Sequence, residues 1–537
     1  MNDRARRIAA AMRTPQAAAA VSGAVWLAVS WGFAAQQEIW VDESSQLAGL
    51  TLNPVEALRW LLGQDRERFG LQGGSAPPLS FWGGWLWSQA FGLSEASLRA
   101  FGMALGTGAT VVVALAAGRA WGAAAAWVAG LAFALSPNVI EIGVEIRPYP
   151  LLLLCSALAF SVPADPHGSS PAMGRSRWIA LMAACLAGFA THFFGVVMAG
   201  GAFLAALWLA WRGKTGLRPG LICGVVLLLA LPAVVPFVRA TVDQNVNREK
   251  GEMLFTAAET SRTRPLARYA YRMLGGHPSH QVFLPLLVST LVGTAALLAL
   301  ALRRKDRSPA GARAILLGVA AGAAATLGLH LLKPELEVLS PRYSTWMLPA
   351  LAIAAGSAVA AGEKRPRIAA WGAAALLLVG NAGATAILLR HGSAFAHTPA
   401  ERIIREIRSR GAAAMVVVHD HPEYWGSAYY PLRYEFGLDL RQYRAVWSPD
   451  GVLTLPRLPN GPATGPAFAG DTDQLLLASS RSVSSSEIAA FLKTGRAPDL
   501  NDGRLDAAME RMGWEKTVQE THVAQLSVEL RWYRKRR

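Results

Sequence analysis

Long apolar runs, separated by short connectors rich in arginine and lysine, dominate the first 390 positions of the chain. A helix crossing the hydrocarbon core of a bilayer needs about 20 apolar residues. The runs at 16–36, 99–118, 121–137, 148–162, 177–190, 193–211, 218–237, 282–302, 313–331, 343–361 and 367–389 are read as such spans. The pattern predicts an all-α polytopic membrane domain over residues 1–390, with about 11–13 transmembrane helices and outer-face segments at 37–98 and 238–281.

With the N-terminus placed in the cytoplasm, the basic connectors fall on one side. They contain Arg119, then Arg175 and Arg177, Arg212 and Lys214, Arg303-Arg304-Lys305, and Lys364-Arg365 with Arg367. An excess of Lys and Arg in cytoplasmic loops is the usual orientation signal. The segment 78–91 is apolar enough for a short span, but counting it would turn Arg303-Arg304-Lys305 outward. It is therefore read as a juxtamembrane or re-entrant element, with Phe81, Trp82, Trp85 and Trp87 at the interface.

From about position 391 the character of the chain changes. Residues 412–419 and 475–478 read as buried strands, and Ser485–Thr494 as a helix start followed by an amphipathic run. Turn residues such as those at 459–462 separate them. An odd number of spans leaves this part, 391–537, outside as a soluble α/β domain on the outer face.

Composition adds exclusions. The chain of 537 residues is 53% hydrophobic and 16% charged, too apolar for a soluble multidomain protein. Its net charge of +16 resides largely in the connectors, so nucleic acid is not an expected partner. Cys155, Cys185 and Cys223 all lie in apolar runs and read as buried thiols. Arg4, Arg6, Arg7 and Arg13 precede the first run, whose length favours a retained helix over a cleaved signal peptide.

This threading gathers charge on the outer face: Asp42 and Glu43, Glu141, Glu145 and Arg147, His192, Arg239 and Asp243, and Glu335, Glu337, Arg342 and Tyr343. Ionised groups near span ends usually face a wet cavity. A carboxylate there can accept a proton from a hydroxyl or amine nucleophile, and an arginine can hold a phosphate and stabilise its charge as it leaves. Each residue also has a plainer reading. Asp42 and Glu43 would suit the first turn of an interfacial helix, Arg147 would anchor a helix end, and His192 would be a satisfied interfacial histidine. His419-Asp420-His421 reads as a turn in the outer domain. No phosphate loop, dinucleotide glycine fingerprint or dense metal-ligand spacing occurs in the sequence. Two classes remain: a membrane enzyme acting on a lipid-linked phosphate, and a transporter whose charges line a path. The lack of an internal repeat and the one-sided charges favour the enzyme.

An ordered set of segments resembles the GT-C superfamily, the polytopic glycosyltransferases that use polyprenyl-phosphate sugars, including protein O-mannosyltransferases and aminoarabinose transferases. The set comprises Trp40-Val41-Asp42-Glu43, then Gly74-Ser75-Ala76-Pro77-Pro78-Leu79, and Phe91-Gly92-Leu93-Ser94-Glu95 leading to Arg99. It continues with Ala134-Leu135-Ser136-Pro137, Glu145-Ile146-Arg147-Pro148-Tyr149, Thr191-His192-Phe193-Phe194-Gly195 and Pro341-Arg342-Tyr343. The order and spacing of these pieces, across most of the first 350 residues, carry the resemblance.

The resemblance implies transfer of a sugar from a polyprenyl-phosphate donor to a glycan, lipid or protein acceptor at the periplasmic face of a bacterial inner membrane, by inverting single displacement. It makes Asp42, with Glu43 and Glu145, the catalytic carboxylates. It places Arg147, Tyr149, His192, Arg239, Arg342 and Tyr343 at the substrate or its phosphate. It fixes no cofactor: some branches use a divalent metal and others do not, so a metal held by Asp42 and Glu145 stays open. Aminoarabinose transferases carry a lysine before the two prolines where this chain has Ala76, which argues against that branch. A flippase of lipid-linked sugars is the alternative reading.

Overall fold

The computed structural model describes residues 12–64, 76–164, 173–240, 263–303, 310–333, 338–339, 341–360, 364–397 and, less continuously, 402–535. Gly74, Ser75, Asp243, Glu335, Glu337, Asp420, His421 and the turn at 459–462 lie outside these described residues.

Every expected apolar run falls on a helix. Seven of the helices are long and apolar enough to cross a membrane: Pro15–Ala34, Glu95–Trp121, Phe194–Arg212, Leu217–Ala240, Leu284–Arg303, Ala310–Leu332 and Arg365–Arg390. The pair Ala123–Ala134 and Pro137–Gly143, bent by 61°, makes an eighth if counted as one span. The remaining expected spans are shorter helices, Tyr149–Ala164, Arg175–Thr191 and Met347–Ala358. Eleven runs thus resolve, among the described residues, into seven or eight helices of full span length and three shorter ones of 16, 17 and 12 residues.

Local chemistry sets the boundaries. Thr14 caps the first helix through its side chain, with Pro15 in the first turn. Ser94 caps Glu95–Trp121, and that helix stops at Gly122, whose φ of 88° suits a residue without Cβ. The bend at 135–136 precedes Pro137, which disfavours helical geometry in the residue before it.

Close packing uses small residues. Trp26 is buried against Gly106 and Gly143, tying the first helix to Glu95–Trp121 and to the bent pair. Gly201 and Gly318 face each other, so a Cβ on either would meet the other's carbonyl. Such small-residue contacts let helix backbones approach where lipid removes the hydrophobic drive between them. Leu228, Leu229 and Leu332 stay exposed, as a lipid-facing surface requires. Cys155, Cys185 and Cys223 are buried free thiols.

The segment 78–91 departs from expectation in one respect. It forms a 13-residue helix, Leu79–Phe91, too short to cross. Phe81 faces neither lipid nor water: it is buried edge-on against Trp60, at 6.2 Å between ring centroids. Trp82 remains partly exposed and its indole N–H donates to the Pro54 carbonyl at 3.0 Å. Together with Val41–Leu50 and Pro54–Leu61, this helix forms a short-helix layer at one end of the bundle.

The C-terminal part contains a five-stranded sheet in the order β2-β1-β5-β7-β6. Its strands are β1 (Ala414–His419), β2 (Arg441–Arg444), β5 (Gln474–Ser482), β6 (Trp514–His522) and β7 (Leu526–Lys535); the short β3 (Val446–Trp447) and β4 (Leu453–Thr454) pair separately. β1 is parallel to β2 and β5, while β7 is antiparallel to β5 and β6. Helices Ser485–Thr494 and Arg504–Arg511 accompany it, which agrees with the expected α/β character. Ser485–Thr494 packs against the short helix Pro278–Gln281 of the membrane part.

Candidate functional site

The Val41–Leu50 helix follows Trp40, which is extended, so Asp42 and Glu43 sit in its first turn where the helix dipole favours negative charge. Adjacent residues on a helix point in different directions, and the two carboxylates diverge. Glu43 turns inward, 1% exposed, and takes a paired interaction from Arg99, Nη1 to Oε1 at 3.0 Å and Nη2 to Oε2 at 3.2 Å. Its Oε1 also accepts from the Ile146 N–H at 2.9 Å. Arg99 in turn donates to the Val144 carbonyl at 3.0 Å and pairs with Glu95 at 2.7 Å. This knot fastens the turn at 144–147 to the helix that carries Asp42.

Asp42 turns outward, 37% exposed. Its Oδ2 lies 3.6 Å from Arg147 Nη2 and 3.5 Å from Arg342 Nη1, and Arg147 Nη1 donates to the Asp42 carbonyl at 3.0 Å. Arg342 extends the cluster: its Nε is 3.7 Å from Glu145 Oε1, and its Nη2 is 3.2 Å from the His397 ring. His397 Nε2 stands 3.2 Å from that same Glu145 oxygen. Trp40 floors the group, 4.1 Å beneath the Arg342 guanidinium and 4.3 Å from the His397 ring. Burial works against the charge of Arg147, yet Asp42 and Glu145 beside it raise its pKa above the ordinary value.

His397 had no legible signal, since nothing local in the sequence marks it. It reaches the cluster because the chain leaving Lys364–Arg390 is tied back to the first helix. Gln36 donates to the Leu389 carbonyl at 2.6 Å and accepts from the Gly392 N–H at 3.0 Å, and Arg402 pairs with Glu38 at 2.7 Å.

Behind the charged cluster stands an aromatic layer. Tyr149 lies 5.3 Å and Tyr343 5.8 Å from the His192 ring, and Phe194 stacks on Tyr343 at 4.7 Å. His192 is buried, and its Nδ1 accepts from the Phe194 N–H at 3.2 Å. Burial, with Arg147 nearby, pushes its pKa down to about 3, so it is neutral at ordinary pH. Arg239 lies exposed at the end of Leu217–Ala240, and no described contact joins it to the cluster.

A second polar group occupies the same end of the bundle. Glu141 Oε2 lies 3.2 Å from His277 Nε2 and 3.3 Å from Arg272 Nη1, and Arg272 also reaches Asn138. The Ser279 N–H donates to His277 Nδ1 at 3.1 Å, so Nδ1 is the acceptor and Nε2–H is the nitrogen that donates to Glu141. Arg272 and His277 were not singled out by the sequence.

Asp42 and Glu145 fit a shared metal ion poorly. Arg342 stands against both carboxylates, in the place a dication would take. Among the described residues no group of three or more His, Cys, Asp or Glu is arranged to hold a metal. What the arrangement offers instead is one exposed carboxylate between two guanidiniums, with a buried carboxylate and an imidazole behind them.

No protein-family model and no curated protein matches this chain. Two crystal structures of ArnT from Cupriavidus metallidurans are similar in overall course. One, bound to undecaprenyl phosphate, is 16% identical with a TM-score of 0.46; the other, in the apo state, is 15% identical with a TM-score of 0.44. Each match covers 96% of this chain and 97% of that one.

Proposed function

We propose that the chain is a glycosyltransferase moving a sugar from a polyprenyl-phosphate donor to an acceptor hydroxyl or amine, at the periplasmic face of a bacterial inner membrane. The observation that carries this reading is Asp42, partly exposed and held on one oxygen by Arg147 and Arg342. The contacts to that oxygen are long, 3.6 and 3.5 Å, unlike the paired grip of Arg99 on Glu43, so they are open to exchange. A phosphodiester entering the site would compete for the two guanidiniums, which bind phosphate through several donors at once. That exchange would leave the Asp42 carboxylate free to face the acceptor.

In the displacement, the acceptor oxygen or nitrogen attacks the anomeric carbon and gives its proton to Asp42. The bond from that carbon to the phosphate oxygen breaks, and its electron pair goes to the phosphate, where Arg147 and Arg342 stabilise the added charge. Glu145 and His397 hold Arg342 in place from behind. Glu43 acts as a positioning residue, since its oxygens are taken by Arg99 and Ile146. The basic connectors at the opposite helix ends support an orientation with the N-terminus cytoplasmic and the C-terminal domain periplasmic.

The test is transfer from radiolabelled undecaprenyl-phosphate sugars in membranes, wild type beside Asp42→Asn. Loss of a general base typically costs about 10²–10⁴ in rate, and the variant should still bind undecaprenyl phosphate. Undiminished transfer would remove Asp42 as the base, and a product of retained configuration would end the single displacement.

A further inference from the structure

The end of the bundle away from the Asp42 cluster carries a group of charges that the proposed transfer does not use. The Phe194–Arg212 helix begins beside His192 and ends at Arg212, about 28 Å away at a rise of 1.5 Å per residue. The Arg175–Thr191 helix runs the other way and stops at His192, so Arg175 shares that far end with Arg212. The connector after Arg212 leads into the Leu217–Ala240 helix, whose first turn carries Arg218.

Arg175, Arg212, Lys214 and Arg218 are all exposed there. Their backbone is fixed by its own contacts. The Lys214 N–H donates to the Trp211 carbonyl at 3.1 Å, and the Thr215 N–H to the Ala210 carbonyl at 3.0 Å. Gly216 lies so near Met173 that a Cβ on it would come within 2.1 Å of the Met173 carbonyl, and Gly220 rests against the buried Trp178 ring. The stretches 173–178 and 212–220 therefore touch and bring the four cations to one patch. The Arg212 guanidinium also lies over the Trp208 ring, 4.9 Å from its centroid.

A basic connector alone is an orientation signal, and two observations set this one apart. Its charge has nothing nearby to offset it. Asp306 follows Arg303-Arg304-Lys305 and Glu363 precedes Lys364-Arg365, but no Asp or Glu occurs between Pro166 and Val242. Among the described residues no carboxylate pairs with any of the four cations. The other observation is an apolar surface directly beside the patch. Ile179, Trp211, Leu221 and Ile222 stand within about one helical turn of a cation in the chain, and each is more than half exposed. The Leu217–Ala240 helix meets the bundle along a thin seam of Gly220, Cys223 and Leu227, which leaves its Leu221, Ile222 and Val225 to the lipid.

This pairing of uncompensated cations with an adjoining apolar strip matches one class of ligand. A soluble anion would satisfy the cations and leave the strip unused. A zwitterionic lipid would bring its own cation against the patch. An anionic phospholipid offers its phosphate to the paired donors of the guanidiniums and lays an acyl chain along the strip.

We propose that this patch binds an anionic phospholipid of the leaflet opposite the Asp42 cluster, with Arg212, Lys214 and Arg218 holding the headgroup phosphate. The inference is independent of the glycosyl-transfer reading.

Native mass spectrometry of the full-length protein in detergent, titrated with phosphatidylglycerol or phosphatidylcholine, tests it. Wild type should retain phosphatidylglycerol in preference to phosphatidylcholine. Arg212→Gln, Lys214→Gln and Arg218→Gln should each weaken phosphatidylglycerol binding about fivefold, and together about a hundredfold. Phosphatidylcholine binding should stay as in wild type, which also shows that the variants are folded. Replacing Arg303, Arg304 and Lys305 by glutamine should leave phosphatidylglycerol bound as before, and Arg212→Lys with Arg218→Lys should keep most of the affinity. Equal retention of the two lipids by wild type would overturn the inference. So would equal losses from the two glutamine triples, which would mark a general effect of net charge. Displacement of the lipid by inorganic phosphate, but not by chloride at the same ionic strength, would mark a site for a soluble anion and overturn it as well.

Discussion

Glu43 and Arg99 offer a sharp test, because their pairing separates structural charge from reacting charge. Removing one partner of a buried, hydrogen-bonded ion pair costs about 3–5 kcal/mol, chiefly through the charge left uncompensated. In Glu43→Leu, Arg99 keeps Glu95 at 2.7 Å, a side chain 30% exposed. That places the expected loss at the lower end, about 3 kcal/mol, including the Ile146 N–H left without its acceptor. Arg99→Leu leaves Glu43 buried with only that N–H and should cost at least as much. The double variant buries no unpaired charge, so it should be less destabilised than the sum of the singles by about 2 kcal/mol. Denaturant unfolding of the purified protein in detergent, read by tryptophan fluorescence, measures all four corners of the cycle. Transfer activity should fall in both singles and stay low in the double, since the 144–147 turn loses its tether to Asp42 in each. Additive losses of stability would refute the account of this pair as a structural knot.

Other consequences can be checked separately. Burial pushes the pKa of His280 down to about 3 from its ordinary 6.5, and the folded state therefore holds it neutral. Its contribution to stability is complete above about pH 6.5 and is lost as pH falls towards 3, with a slope of up to about 1.4 kcal/mol per pH unit. Unfolding midpoints across pH 7 to 4 should fall, and His280→Asn should flatten that fall; an unchanged profile would contradict it. Gly318→Val should force the helices Phe194–Arg212 and Ala310–Leu332 apart at the Gly201 contact, lowering stability by about 1–3 kcal/mol. Thermal unfolding of the detergent-solubilised variant reads this, and a midpoint equal to wild type would refute the contact.

Much of the membrane part was legible because a bilayer imposes a one-dimensional rule. Each run had to satisfy its own backbone as a helix, so composition alone located all of them. Helix length was not set by composition: Tyr149–Ala164 and Met347–Ala358 are apolar but shorter than the seven long helices. Asp42, Glu145, Arg147 and Arg342 were marked in the sequence as charges at span ends, and they do meet in one cluster. Glu43 and Arg239 carried similar marks, yet one is consumed by Arg99 and the other lies apart. Position along the chain cannot distinguish a carboxylate turned inward from its neighbour turned outward.

Residue order alone makes this chain a bundle of apolar helices with charge gathered at one end and an α/β domain after them. Which charges share an oxygen is settled by how the helices pack. His397 enters the site through Gln36 and Arg402, which tie the chain beyond Arg390 back to the first helix across more than 350 positions. Helix formation is governed by local periodicity and by the solvent around the segment, which the residue order states directly. A side-chain cluster depends on how several helices pack and rotate against one another, through contacts such as Gly106 under Trp26. That information is distributed over the whole core and is written in no single segment.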